Sequence, residues 1–297
     1  MPRAEAGAST LVPAGIDDAS DVWIVRNDAL EALLLNRNVT GQPFGELCEA
    51  ASQAFVAHVV DELEESGADG IAELLLLSKS YAYNLRKAAQ EHDVAVAVNM
   101  IATQRAAVQG ESAQIEVPYA SLDADARTIL IGDTIASGAT VCAALGRYLE
   151  HRRIDRALLF SVAGSVVGAR RISHFCAARG VQATILLGLA AFGLADNGFD
   201  LSFAHPATIC APDLREQAAR AFADRPVSAP GWDFGSQLMA PDKYRALCWV
   251  EERYWGLENS GVFALARQPT DRRQIQKEFP AFRDRFPDLD ALVADSR

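Results

Sequence analysis

The sequence lacks any apolar stretch long enough to cross a lipid bilayer. Its apolar runs, such as residues 74–77 and 185–187, are far shorter than the roughly 20 residues that a membrane-spanning helix needs. The opening segment, MPRAEAGASTLVPAG, contains no apolar run of signal-peptide length. We therefore expect a cytoplasmic protein with no membrane partner.

The sequence also lacks the cysteine and histidine spacings of metal sites and disulfide frameworks. There is no CxxC pair, the cysteines lie more than thirty positions apart, and the histidines show no ligand spacing. We expect the cysteines to be reduced thiols, mostly buried. The residues concerned are Cys48, Cys142, Cys176, Cys210 and Cys248, with His58, His92, His151, His174 and His205.

An excess of positive charge is missing as well. The formal net charge is -11, which argues against broad binding to nucleic acid, because a phosphate-neutralising surface would oppose the field of the whole protein. A small anion site is still compatible with this charge, since the backbone N–H groups at one helix start can hold a phosphate.

What the sequence contains is a repeated order of strand, turn and helix. This order predicts an α/β fold with an open, mainly parallel sheet flanked by helices and right-handed crossovers. A long amphipathic helix is predicted first, over residues 44–65. The strands are predicted at 71–77, 94–101, 128–132, 157–163 and 181–189, and the later helices at 83–91, 141–151 and 166–179.

The domain boundaries follow from changes in composition. We expect a flexible tail over residues 1–20 and a core with its N-terminal helix over residues 21–225. Residues 226–297 should form a smaller hood and a C-terminal helical extension, with helices near 242–254 and 272–285. Within the core, the polar stretch 102–125 predicts a projecting ribbon that acts as a mobile lid.

Residues 128–141, TILIGDTIASGATV, are the most informative segment. An apolar strand is followed by Asp133, a turn of small residues and a helix start. Ligands bind outside the carboxyl ends of parallel strands, and such a turn lets successive N–H groups approach a phosphate. An ordinary turn in which Asp133 caps the helix is the alternative. The spacing does not match the fingerprints G-x-G-x-x-G or G-x-x-x-x-G-K-[ST].

The segment GDTIASGATV resembles the loop that binds 5-phosphoribosyl-1-pyrophosphate (PRPP) in type I phosphoribosyltransferases, and is most similar to the version in uracil phosphoribosyltransferase. Weaker resemblances follow in the same order at NRNVT (36–40), TQR (103–105), IEVPY (115–119) and PGWDFGS (230–236). The similarity departs from the family pattern at Thr134, at Ser236, and in the pyrophosphate loop, which here reads SKSY.

This resemblance implies a phosphoribosyltransferase-type sheet and a pentosyltransferase activity. The enzyme would transfer the 5-phosphoribosyl group from PRPP to a nitrogen of a planar base, uracil or a related heterocycle, and release pyrophosphate. Mg²⁺ would bind through PRPP, with Asp233 as a further candidate ligand, and the chain would form a homodimer. Two alternatives stay open: a different acceptor in specialised metabolism, and a non-catalytic regulator that binds PRPP or a nucleotide.

The resemblance also implies a role for each matching residue. The catalytic residues would be Asp133, which binds the ribose, with Lys79 and Arg105, which bind pyrophosphate. Ordinary solvated charges are the alternative for the two cations, and a turn-forming residue is the alternative for Asp233. The remaining PRPP contacts would come from Thr134, Ile135, Ala136, Ser137, Gly138, Ala139 and Thr140, and the acceptor contacts from Gly231, Trp232, Asp233 and Phe234.

Overall fold

The structure is a computed structural model that describes residues 9–19, 21–35, 41–66, 70–77, 80–106, 114–194, 202–203 and 205–221. The strands are β1 (Thr10–Pro13), β2 (Val22–Arg26), β3 (Ile71–Leu76), β4 (Ala97–Ala106), β5 (Gln114–Ser121), β6 (Thr128–Gly132), β7 (Arg156–Ser161), β8 (Gly164–Ser165), β9 (Gln182–Gly188), β10 (Ala190–Phe192) and β11 (Ile209–Cys210). The helices are α1 (Asp28–Leu35), α2 (Gly41–Ala57), α3 (Val60–Ser66), α4 (Leu85–Gln90), α5 (Ala139–Leu149), α6 (Val166–Ala177) and α7 (Pro212–Ala221).

Eight strands form one sheet in the order β1-β2-β9-β7-β6-β3-β4-β5. Neighbours from β2 to β4 are parallel, while β1 and β5 pair antiparallel at the two edges. A smaller sheet, β11-β10-β8, is separate from it. The prediction of an α/β fold with a mainly parallel sheet flanked by helices is confirmed, and β6 lies near the middle of the large sheet.

Helices cover both faces of this sheet, as the alternation along β6 shows. Leu130 packs in a cluster with residues of α1 to α4 and α7. Ile129 and Ile131 pack in a second cluster with α5 and α6. Because all five residues of β6 are buried, the strand has no face in contact with solvent, as in other parallel sheets covered on both sides.

The prediction of one long helix over residues 44–65 is wrong in one respect, because the structure has two helices there. The N–H groups of His58 and Val59 donate to the carbonyls of Phe55 and Val56, three residues earlier. Such bonds tighten the end of an α-helix and stop it. The chain then restarts as α3, while the side chain of Val59 stays in the core.

The ribbon expected over residues 102–125 is largely part of the sheet. β4 continues to Ala106 and pairs with β5, and Val117, Ala120 and Leu122 pack against the second core cluster. Pro118 is tolerated in β5 because an edge strand has one side free of partners in the ladder. A lid that includes the whole ribbon would therefore have to break packed edge-strand contacts.

Two other expectations concern the ends of the chain. Residues 10–13, inside the expected tail 1–20, form the edge strand β1. The hood and the C-terminal extension, residues 226–297, lie outside the described residues. In the described part of the chain, none of the helices combines the length and apolar character that crossing a membrane requires.

A buried carboxylate fixes the start of α4. Glu73 lies on β3, is 2% exposed, and accepts the backbone N–H groups of Leu85 at 3.3 Å and Arg86 at 3.1 Å. These are donors of the first helical turn, which have no partner within the helix. Burial raises the pKa of Glu73 above its ordinary value, and the two backbone hydrogen bonds oppose that shift.

Because this pKa is raised, we expect the stability of the folded protein to depend on pH. The folded state binds the proton of Glu73 more readily than the unfolded state does. Ionisation of Glu73 therefore lowers the free energy of unfolding as pH rises through the raised pKa. Below the pKa that Glu73 has in the unfolded chain, this loss is absent. We expect the unfolding free energy of the wild type, relative to Glu73→Gln, to fall as pH rises above the ordinary pKa of a glutamate, about 4.3. Urea titrations at a series of pH values measure it, with the exposed Glu64→Gln as control. A difference that stays constant with pH would contradict the account.

Candidate functional site

The loop after β6 begins as a continuation of the sheet. The N–H of Asp133 donates to the carbonyl of Phe160, and that of Ile135 donates to the carbonyl of Ala163, both at 3.1 Å. Asp133 is 6% exposed, and its Oδ1 accepts the N–H of Thr134 at 2.8 Å. The acid predicted at the carboxyl end of this strand is therefore held close to the backbone.

The loop ends at Gly138, which is the N-cap of α5 and has a φ of 71°. A Cβ atom at this position would lie 2.8 Å from the carbonyl oxygen of Gly168. A Cβ atom at Gly168 would in turn overlap the carbonyl oxygen of Ala136. Two glycines therefore let the loop touch the first turn of α6, at a place where side chains would keep the two apart.

Ser165 holds the same contact together through hydrogen bonds. Its N–H donates to the carbonyl of Ile135 at 2.8 Å, and its hydroxyl donates to the carbonyl of Ala136. The same hydroxyl accepts the N–H of Gly168 at 2.8 Å and so caps α6. The N-termini of α5 and α6 thus meet at one loop, and both bring the positive end of a helix dipole there.

Several donors of the loop point to no protein acceptor among the residues that the structure describes. These are the backbone N–H groups of Ser137, Gly138 and Thr140, while that of Ala139 reaches the Ser137 hydroxyl at a long 3.5 Å. The buried hydroxyl oxygen of Thr134 also has no partner there. Unpaired N–H groups at a helix start, beside small side chains, suit an anion such as phosphate.

Two residues support the loop through its backbone, and the sequence analysis assigned neither of them this role. The ring of Tyr83 packs against Gly132, and its hydroxyl donates to the carbonyl of Asp133 at 3.0 Å. The hydroxyl of Ser80 donates to the carbonyl of Gly132 and accepts the N–H of Leu76. Both residues come from the segment after β3, and nothing in their spacing points to residues some fifty positions further on.

The other predicted site residues fall mostly outside the described structure. Lys79 lies there, although its neighbour Ser80 is placed at the carboxyl end of β3, beside β6. The backbone of Arg105 lies in β4 opposite Ile115, and its side chain is outside the described part. Outside it too are residues 36–40 and the predicted acceptor residues Gly231, Trp232, Asp233 and Phe234. The structure therefore describes the loop of residues 133–140, and the binding roles assigned to it and to the other site residues all stay predictions.

The cysteines of the described residues do not offer a nucleophile to this site. Cys48, Cys142, Cys176 and Cys210 are free thiols. Burial raises the pKa of Cys48 and of Cys176 to about 12, and it also raises the pKa of the other two. A thiol attacks as the thiolate, so these side chains stay protonated and unreactive near neutral pH.

Comparison with known proteins gives no matching family model and no matching curated protein. Similar solved structures include the AQ2163 protein from Aquifex aeolicus, at 12% identity and a TM-score of 0.43 over 60% of this chain and 91% of that one. A hypoxanthine phosphoribosyltransferase from Staphylococcus aureus gives 13% identity and a TM-score of 0.30 over 37% of this chain and 61% of that one. The hypoxanthine-guanine phosphoribosyltransferase of L. donovani gives 16% identity and a TM-score of 0.33 over 50% of this chain and 82% of that one. The match thus spans less than two thirds of the S. aureus protein.

A series of three glycine substitutions tests the geometry of the loop. Gly138→Ala should destabilise most, because it adds both a left-handed strain and a collision with α6. Gly180 has a φ of 68° and open space around it, so Gly180→Ala should cost only the strain, about 1 kcal/mol. Gly146 lies inside α5 with ordinary contacts, so Gly146→Ala should be neutral or stabilising by up to about 1 kcal/mol.

Thermal unfolding of the three variants measures their order of stability. The expected sequence of midpoints, from highest to lowest, is Gly146→Ala, Gly180→Ala and Gly138→Ala. A Gly138→Ala midpoint equal to that of Gly180→Ala would show that the loop does not approach α6 closely.

Proposed function

We propose that this chain binds PRPP and transfers its 5-phosphoribosyl group to a nitrogen of a planar base, with release of pyrophosphate. The observation that carries the proposal is the loop of residues 133–140, in which an acid at the carboxyl end of β6 is followed, at the start of α5, by N–H groups with no acceptor in the described part of the chain. This arrangement supports a ligand that has a phosphate next to hydroxyl groups, as a ribose phosphate does.

The 5-phosphate of PRPP would bind at the turn. Its oxygens would accept hydrogen bonds from the N–H groups of Ser137, Gly138, Ala139 and Thr140, with the hydroxyls of Ser137 and Thr140 beside them. The N-termini of two helices add favourable charge at the same place. The net charge of -11 is compatible with this binding, because the N–H donors are local and fixed.

The ribose would lie next to Asp133, whose carboxylate accepts hydrogen bonds from the ribose hydroxyls. Lys79 and Arg105, from the segments after β3 and in β4, would bind the pyrophosphate. Such positioning and charge stabilisation can supply the catalysis, since no protein nucleophile is required.

The reaction balances as a substitution at C1 of the ribose. The bond between C1 and the pyrophosphate oxygen breaks, and its electron pair leaves with pyrophosphate. A nitrogen lone pair of the base forms the new bond to C1, and the proton of that nitrogen passes to solvent. The contribution of this chain is to hold C1 and the nitrogen in line and to stabilise the charge on the leaving group.

The residues near the loop fit a magnesium ion that arrives with PRPP. Among the described residues, the hydroxyl oxygen of Thr134, next to the proposed ribose position, is buried without a partner. Mg²⁺ keeps several waters and binds through one or two carboxylates and substrate phosphates. When bound, it would neutralise charge on pyrophosphate, with Asp233 as the candidate protein ligand.

The acceptor is proposed to be a flat, nitrogen-containing heterocycle, with uracil as the first candidate. The support is the composition of residues 230–236, where Trp232 and Phe234 stand beside Asp233 and offer rings on which a planar base can stack. A purine, a pyrimidine analogue or another aromatic heterocycle is the next candidate. A homodimer is proposed on the family resemblance alone.

The assignment of Asp133 predicts a specific loss of affinity. Asp133→Asn removes the charge with little change in volume, so PRPP binding should weaken by about 1.5–3 kcal/mol, the value of a hydrogen bond to a charged group. Calorimetry with PRPP and Mg²⁺ measures the change, and Asp61→Asn, on the exposed surface of α3, is the control. Equal PRPP affinity of Asp133→Asn and the wild type would contradict the assignment of Asp133 to the ribose.

The acceptor assignment is tested by steady-state kinetics. Pyrophosphate release is measured with PRPP and a panel of pyrimidines, purines and other aromatic heterocycles. With the active base, Trp232→Ala should raise the KM of the acceptor while PRPP affinity stays unchanged, because stacking touches the acceptor alone. PRPP binding without turnover of any base would support a regulator in place of an enzyme.

A further inference from the structure

Two buried side chains join the segment after β3 to the loop after β6. Ser80 is fully buried and bridges the N–H of Leu76 and the carbonyl of Gly132. Tyr83 is 1% exposed and bridges two other backbone groups, since its hydroxyl donates to the carbonyl of Asp133 and accepts the N–H of Val162, each at 3.0 Å. The ends of β3, β6 and β7 are thereby held at one edge of the sheet.

We infer that Tyr83 is a positioning residue of the proposed PRPP site, an inference that rests on the proposed function. Its hydroxyl holds the carbonyl of Asp133, and so fixes the peptide from which the ribose-binding carboxylate and the phosphate-binding turn both continue. Tyr83 acts through Asp133 and does not touch PRPP itself.

The packing around Tyr83 leaves little freedom for that peptide. A Cβ atom at position 132 would lie 2.5 Å from Cγ of Tyr83, so the ring lies directly on the backbone of Gly132. Water cannot replace the two hydrogen bonds of a phenol buried this deeply, and the backbone groups would lose their partner if it were removed. Burial also raises the pKa of Tyr83, which keeps its hydroxyl protonated and able to donate.

The location of Tyr83 gives this support a functional consequence. It lies in the same short segment as Ser78, Lys79, Ser80 and Tyr81, the stretch proposed to bind pyrophosphate. One side chain of that segment therefore holds the residue proposed to bind the ribose. A shift of the Asp133 peptide would move the carboxylate relative to both ends of PRPP, and PRPP must engage both ends at once.

Tyr148 provides a matched control. It is also fully buried, and its hydroxyl lies within hydrogen-bonding distance of two backbone carbonyls, those of Ala124 and Ala126, at 3.3 Å each. These carbonyls precede β6, at the opposite end of the strand from Asp133. Removal of either hydroxyl should lower the stability of the fold, but only removal of the Tyr83 hydroxyl should lower the affinity for PRPP.

The experiment compares Tyr83→Phe and Tyr148→Phe by calorimetry with PRPP and Mg²⁺, at a temperature where circular dichroism shows both variants folded. We expect both unfolding midpoints to fall. PRPP affinity should fall about tenfold in Tyr83→Phe and stay within about twofold of wild type in Tyr148→Phe. In the Asp133→Asn background, Tyr83→Phe should have a smaller effect than in the wild type, because the two residues act as one unit.

The outcomes separate this inference from the proposed function. A wild type that binds no PRPP contradicts the proposed function and the inference with it. A wild type that binds PRPP, with Tyr83→Phe binding equally well or Tyr148→Phe losing as much, overturns the inference alone. Should Tyr83→Phe not fold, both tyrosine variants are compared in the Gly146→Ala background, in which the added helix propensity should raise stability. Equal PRPP affinity of the two variants in that background then overturns the inference.

Discussion

The close approach of the loop after β6 to the start of α6 determines the geometry of the proposed site. Gly138 and Gly168 make this approach possible because neither has a Cβ atom that would separate the two backbones. Ser165 then bonds to the loop carbonyls that the approach brings within reach. The N–H groups at the start of α5 that have no acceptor among the described residues belong to this loop, and the proposed phosphate position depends on them.

Buried polar groups join the strands next to this loop to the segments that follow β3. Glu73, Ser80 and Tyr83 each place a polar atom in the core, and each gives that atom backbone partners. Their desolvation costs are offset by hydrogen bonds that tie loops to strand ends. A loop whose backbone is held in this way has little freedom to lose, so less binding energy is needed to order it when a ligand binds.

The sequence predicted the elements with strong local signals. Strand β6 has the apolar run Ile129 to Ile131 and is followed by an acid and small residues, so its position and its loop were predictable. The alternation of strands and helices predicted the parallel sheet. The break between α2 and α3 was not, because residues 57–60, AHVV, contain neither glycine nor proline. Strand β1 was missed because its four residues form a strand only through pairing with β2. The role of Tyr83 depends on a contact between residues 50 positions apart, which no local pattern encodes.

The most direct test of the central claim is a crystal structure of the protein with PRPP and Mg²⁺. The account predicts that the 5-phosphate oxygens lie about 3 Å from the backbone nitrogens of residues 137–140, with the ribose hydroxyls on the carboxylate of Asp133. PRPP bound elsewhere on the chain, or a loop whose N–H groups are all paired with protein acceptors while PRPP is bound, would contradict it.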